Sequence, residues 1–162
     1  QALKEVLPVS EEALKRGILE TRWQGRMETI LPGVIVDGAH NEDGVEKFVE
    51  TAEHFQKMYP LTLLFSAVDD KDYTDMIHTI LDRIHFRHVV VTQVGGYRKV
   101  PAEDLAEIFR RYGCSSAEAC EDVTEAFRKA LSEKGNEGML FCVGSLYLVG
   151  EIKTALLKGE IR

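Results

Sequence analysis

Short apolar runs alternate with amphipathic stretches of ten or so residues along almost the whole chain, and that alternation most constrains its fold. Leu61 to Ala67 (LTLLFSA), His88 to Gln93 (HVVVTQ) and Gly138 to Val143 (GMLFCV) are runs of buried-strand length. Between them lie stretches with helical spacing. In Asp43 to Met58 the apolar residues are Val45, Phe48, Val49, Ala52 and Phe55. The spacing also predicts helices over Glu11 to Leu19 (Ser10 as N-cap), Tyr73 to Leu81, Ala102 to Tyr112, Val123 to Glu133 and Tyr147 to Leu157. Pro101 starts one of these and Gly113 stops it. Two further strands, Arg26 to Leu31 and Val34 to Asp37, flank the turn dipeptide Pro32-Gly33, and Cys114 to Ala117 reads as a short edge strand. Strands joined through helices cross over right-handedly into a mostly parallel sheet. The expected fold is therefore α/β, a Rossmann-like three-layer domain with about six strands, one antiparallel at the edge.

Composition narrows the class. The chain has 162 residues, 44% apolar and 29% charged, enough for one domain with its own core. No apolar run reaches the ~20 residues of a spanning helix, and the first residues form no signal peptide. A soluble, cytoplasmic protein with no membrane partner is expected. The net charge of −7, with basic residues scattered, argues against a nucleic-acid partner. Cys114, Cys120 and Cys142 form no CxxC pair and are read as reduced, partly buried thiols, and no metal site is expected in this chain. The chain does not begin with Met, which suggests a piece of a longer protein.

Ligands of open α/β sheets bind beyond the carboxyl ends of the strands. Four segments there are rich in Gly and polar residues: Asp37-Gly-Ala-His-Asn41, Asp69-Asp-Lys-Asp72, Gly95-Gly-Tyr-Arg98 and Gly144-Ser145. Helix N-termini at the same edge favour anions. The pattern suits a nucleotide or an amino acid, but the chain has no GxxxxGK[ST] loop and no GxGxxG after a strand. Any nucleotide site here would be only part of one.

These segments resemble those of a known family. Trp23-Gln-Gly-Arg26-Met-Glu28 is similar to the WxGRxE that opens the C-terminal domain of folylpolyglutamate and dihydrofolate synthases. Asp37-Gly-Ala-His-Asn41 is similar to their DGAHN, Asp70-Lys-Asp72 to their DKD, and Gly144-Ser-Leu-Tyr-Leu-Val-Gly150 to the GSLYLVG that starts their last helix. The four occur in order across nearly the whole chain. The family belongs to the ATP-dependent amide ligases that include the Mur peptidoglycan enzymes.

The resemblance implies a reaction and its participants. ATP would phosphorylate the γ-carboxylate of a reduced folate, and L-glutamate would attack the acyl phosphate. Mg²⁺ would be held mainly by an upstream ATP-binding domain, the partner of this one. Residues 1–20 would be the interdomain linker and leading helix, and residues 21–162 the glutamate-ligase domain. Arg26 would contact the ATP phosphates, Asp37 the ribose, His40 the nucleotide and the incoming glutamate, and Ser145 a glutamate carboxylate. Arg26 and His40 would be the catalytic pair. Ser145 would serve equally well as a simple helix cap, and Trp23 is read as packing. Asp70, Lys71, Asp72 and Arg98 lie at the same edge without assigned roles. Glu42 and Gln24 stand where the family often has Pro, and neither position carries a ligand role. The isolated domain is expected to be inactive. The alternatives are another Mur-type amide ligase acting on a cell-wall or polymer precursor, and a binding module without catalysis.

Overall fold

The computed structural model describes residues 9–21 and 23–161. Helix α1 (Glu11–Glu20) is capped by Ser10 and buries none of its residues. Of the linker and leading helix expected over residues 1–20, residues 1–8 lie outside the described part. Strands β1 (Glu28–Leu31) and β2 (Val34–Asp37) form an antiparallel pair. The chain continues through α2 (Glu42–Gln56), β3 (Leu61–Phe65), α3 (Tyr73–Arg83), β4 (His88–Val91), α4 (Ala102–Arg111), β5 (Glu118–Ala119), α5 (Val123–Lys134), β6 (Met139–Val143) and α6 (Leu146–Leu157).

The sheet order is β1-β2-β6-β3-β4-β5, with every pair parallel except β1 and β2. Three crossovers, β2 to β3, β3 to β4 and β4 to β5, step in one direction. The crossover from β5 back to β6 runs in the other. A right-handed connection reverses the covered face when it reverses direction. Accordingly α2, α3 and α4 pack on one face with Phe48, Ile77, Phe109, Leu63 and Phe141. Helices α5 and α6 pack on the other with Phe127, Ile152, Val36, Leu64 and Cys142. Consecutive strand residues alternate between these cores, as the two-residue period demands. On the first face Phe141 meets Phe48 and Phe55 edge-on at 5.4 and 5.6 Å, contacts each worth about 0.5–1.5 kcal/mol beyond burial.

Three expectations needed correction. The first strand begins at Glu28, because Met27 has a positive φ of 41° and Arg26 lies in a bend. The edge strand is Glu118–Ala119 and not Cys114 to Ala117. Bonds from the Cys114 amide to Phe109 and from the Ala117 amide to Cys114 turn the chain there before it can pair. Trp23 does not pack: it is 74% exposed. The cysteines are all free, with Cys142 fully buried and its thiol pKa pushed up by that burial. No helix among the described residues is long and apolar enough to cross a membrane.

Candidate functional site

Strand β6 lies between two strands whose following helices cover the opposite face. Its neighbours β2 and β3 lead into α2 and α3, whereas β6 leads into α6. The loops therefore diverge at the carboxyl ends of β2, β6 and β3 and leave a crevice between them, the place where open sheets bind ligands. All four Gly-rich polar segments lie at this edge.

Asp37 ends β2 and is 6% exposed. Its Oδ1 accepts the Ala39 amide and its Oδ2 the Met27 amide, both at 2.8 Å. Arg26 Nη1 stands 3.8 Å from Oδ1, with 45% of the Arg26 side chain exposed. The carboxylate thus holds two loops and orients a guanidinium whose outer part is open to a ligand. A second clamp works from below. Glu28 accepts Lys153 Nζ of α6 at 2.8 and 3.1 Å and the Gly25 amide at 2.7 Å. The Lys153 hydrogen bond first, then the Gly25 amide, hold the Glu28 carboxyl below the usual range. Gly38 completes the fit: its amide donates to the Gly25 carbonyl at 2.6 Å, and a side chain there would overlap Leu146.

His40 is half-buried, with Nδ1 at 2.6 Å from the Gly38 carbonyl. A carbonyl only accepts, so Nδ1 carries the proton, and in the neutral ring Nε2 is left as an acceptor. His40 lines two adjoining cavities. One, of about 480 Å³, runs between the starts of α2 and α3 and is bordered by Asn41, Asp70, Lys71 and Asp72. The other, of about 190 Å³, joins His40 to Ser145, Arg98 and Tyr147. Asn41 caps α2 by accepting the Gly44 amide at 3.0 Å, and Asp72 caps α3 by accepting the Asp75 amide at 3.2 Å. Glu42 opens α2, where an acid suits the helix dipole.

Ser145 is 1% exposed, caps α6 and accepts the Tyr147 amide at 3.1 Å. The structure thus brings His40 and Ser145 to one cavity and Arg26 and Asp37 to one ion pair, while Arg26 lines neither cavity. Glu28 and Lys153, 125 residues apart, escaped sequence reasoning as supports of the Arg26 loop. Only the Glu in WxGRxE hinted at them. The pairing of Arg98, itself placed at this edge, with Tyr147 escaped it too. Among the described residues no group of three His, Cys, Asp or Glu side chains could hold a metal ion.

Comparison with known proteins gives a consistent result. A family model described as Mur ligase, glutamate ligase domain, matches residues 25–146. The chain is 32% identical, over 94% of its length, to the dihydrofolate synthase/folylpolyglutamate synthase of Bacillus subtilis, and covers 35% of that protein. It superposes on a folylpolyglutamate synthase from Thermotoga maritima with a TM-score of 0.70 at 31% identity, covering 99% of this chain and 38% of that one. With Escherichia coli FolC, solved in complex with ADP, the TM-score is 0.83 at 22% identity, covering 95% of this chain and 36% of that one. The latter likeness speaks for the fold. The chain spans about a third of the length of these proteins.

Proposed function

The chain belongs to the family of Mur ligase glutamate ligase domains, and we propose that it serves an ATP-dependent ligase that adds L-glutamate through γ-linkages to a reduced folate. Supporting the folate reading over a cell-wall one are the named relatives and the DGAHN and GSLYLVG segments. The observation that carries the chemistry is the Arg26 loop, fixed by Asp37 and Glu28 so that a half-exposed guanidinium projects from the rim of the crevice.

In this reading ATP transfers its γ-phosphoryl group to the folate's γ-carboxylate, releasing ADP. The amine of glutamate then attacks the acyl phosphate, forms the amide and expels phosphate. Arg26 meets the charge that builds on the transferring oxygens, a fixed cation needing no rearrangement at the moment of reaction. Asp37 acts first by holding the Arg26 loop. A contact to the ribose would use the lone pairs its two amide bonds leave. His40, whose Nδ1–H is held by the Gly38 carbonyl, offers Nε2 to the ammonium of the incoming glutamate and takes the proton it loses before the amine attacks. Ser145 with the first turn of α6 offers polar groups to a carboxylate. Mg²⁺ would be carried by the ATP phosphates and by an upstream ATP-binding domain. That domain is also the proposed partner across residues 1–20, with residues 21–162 as the glutamate-ligase unit. Closure of the two domains would keep water from the acyl phosphate.

The test is glutamate incorporation into tetrahydrofolate by the intact ligase containing this chain, with Arg26→Ala and Asp37→Ala beside it. Arg26→Ala is expected to lower kcat by about a hundredfold or more, the usual cost of losing one preorganised charge-stabilising donor. Asp37→Ala should approach that loss, because it frees the same loop. Extension undiminished in both variants would remove these residues from the site. Absence of extension in the parent would reject the substrate assignment.

A further inference from the structure

Arg98 lies in the loop after β4, yet its guanidinium reaches two other elements. Nη1 donates to Asp70 Oδ2, in the loop after β3, at 2.9 Å. Nη2 donates to Tyr147 Oη, in the first turn of α6, at 2.6 Å. Its Cζ also stands 5.6 Å from the centre of the Tyr147 ring and 5.9 Å from that of Tyr97. The base of the side chain is fixed as well. The Asp69 amide donates to the Arg98 carbonyl at 3.0 Å, Val68 bridges Lys99, and the Gly95 amide donates to Glu151 Oε1 of α6 at 2.9 Å. Arg98 thus joins the ends of β3, β4 and β6 at the wall of the 190 Å³ cavity that holds His40 and Ser145.

Stability does not account for this arrangement. About a third of the Arg98 side chain and 43% of the Asp70 side chain are exposed, and ion pairs in such settings contribute little to folding. What the arrangement does supply is geometry. Tyr147 follows Ser145 by two residues and is half-exposed, so without Arg98 its phenol has no partner among the described residues to hold it against the cavity. Lys71 shares the same Asp70 oxygen at 4.0 Å, so release of Asp70 would also disturb the second cation at the cavity wall.

We propose that Arg98 is a positioning residue for the amino-acid substrate, locking Tyr147 and Asp70 as one wall of the cavity that holds His40 and Ser145. The inference rests on the ligase reading above and concerns glutamate affinity alone. Arg98 forms no bond to Arg26 or Asp37, so the phosphoryl-transfer side of the site is untouched by its loss. Two side chains left free must be ordered again each time substrate binds, which corresponds to about a tenfold weakening.

The experiment uses the intact ligase and compares Arg98→Ala, Arg98→Lys and Tyr147→Phe with the parent. KM for glutamate, KM for ATP and kcat are measured for each, together with the urea midpoint of unfolding. Arg98→Ala should raise KM for glutamate about tenfold, leaving KM for ATP and kcat within about twofold and the midpoint unchanged. Arg98→Lys should not restore the parental KM, since a single ammonium cannot span two acceptors as a planar fork does. Tyr147→Phe should give a smaller rise in the same constant. Equal loss in all three constants, or full rescue by Lys, would overturn the proposal while leaving the ligase reading in place. A parent enzyme that adds no glutamate would overturn both.

Discussion

The two ends of this sheet carry the same number of connections but are built differently. At the amino end main-chain bonds do much of the joining: Met139 donates to Pro60, Leu140 to Gly33 and Arg87 to Leu61, with the Gln56 side chain tying Arg83 and His85. At the carboxyl end side chains do much of the joining. Asp37 holds Met27 and Ala39, Glu28 holds Gly25 and Lys153, Glu151 holds Gly95, and Arg98 holds Asp70 and Tyr147. The same end keeps a buried hydroxyl, that of Ser66, without a partner among the described residues. Buried polar groups are nearly always paired, and the exceptions gather where function outweighs stability. Main-chain closure depends little on residue identity. Side-chain closure allows a site to be shaped, and exposes it to damage by single substitutions.

The largest contrast should come from two glycines at opposite ends. At the amino end, a side chain on Gly138 would overlap the backbone carbonyl of Lys134, which cannot move without distorting α5. Gly138→Ala should therefore cost about 2 kcal/mol in urea unfolding of the chain, with the activity of the folded ligase unchanged. At the carboxyl end, a side chain on Gly38 would overlap Cδ2 and Cγ of the half-exposed Leu146 side chain, which can turn away, and would come within 3.3 Å of the Gly25 carbonyl. Gly38→Ala should cost under about 1 kcal/mol of stability yet lower glutamate addition roughly tenfold, because Leu146 begins α6 beside Ser145. Equal stability losses, or activity lost at the amino end alone, would break the comparison.

Glu28→Gln gives the smallest and most specific effect. The folded carboxyl is held below its ordinary value of 4.5 by Lys153 and Gly25. A depressed folded value stabilises the protein above the unfolded value, and the contribution fades as pH falls through the folded one. The variant should be less stable than the parent by about 1 kcal/mol at neutral pH, and the gap should close below about pH 4.5. A gap independent of pH would mean that Glu28 acts by shape and not by charge.

Much of the fold was legible because it rests on local signals. Short apolar runs marked the strands, helical spacing marked the helices, and Ser10 and Ser145 cap theirs through short-range bonds that need no tertiary partner. The antiparallel edge was legible at Pro32-Gly33. The start of β1 was not, since the positive φ at Met27 goes with a bond to Asp37, ten residues away. The exposure of Trp23 was likewise beyond periodicity, which reports faces of elements and not the surroundings of a turn.

The candidate site divides in the same way. The edge on which Asp37, His40, Arg98 and Ser145 gather follows from strand polarity, which sequence alone determined. Their partners did not follow from it. Placing β6 between β2 and β3 sets α6 beside the turn that follows β2, which lets Lys153 reach Glu28 and Tyr147 reach Arg98. Strand order is chosen by the packing of all the layers together, and no local period records it. The sequence by itself determined most of the elements, the caps of α1 and α6 and the functional edge. Only the tertiary structure decided which side chains meet there, because those contacts join segments that the chain separates by tens of residues.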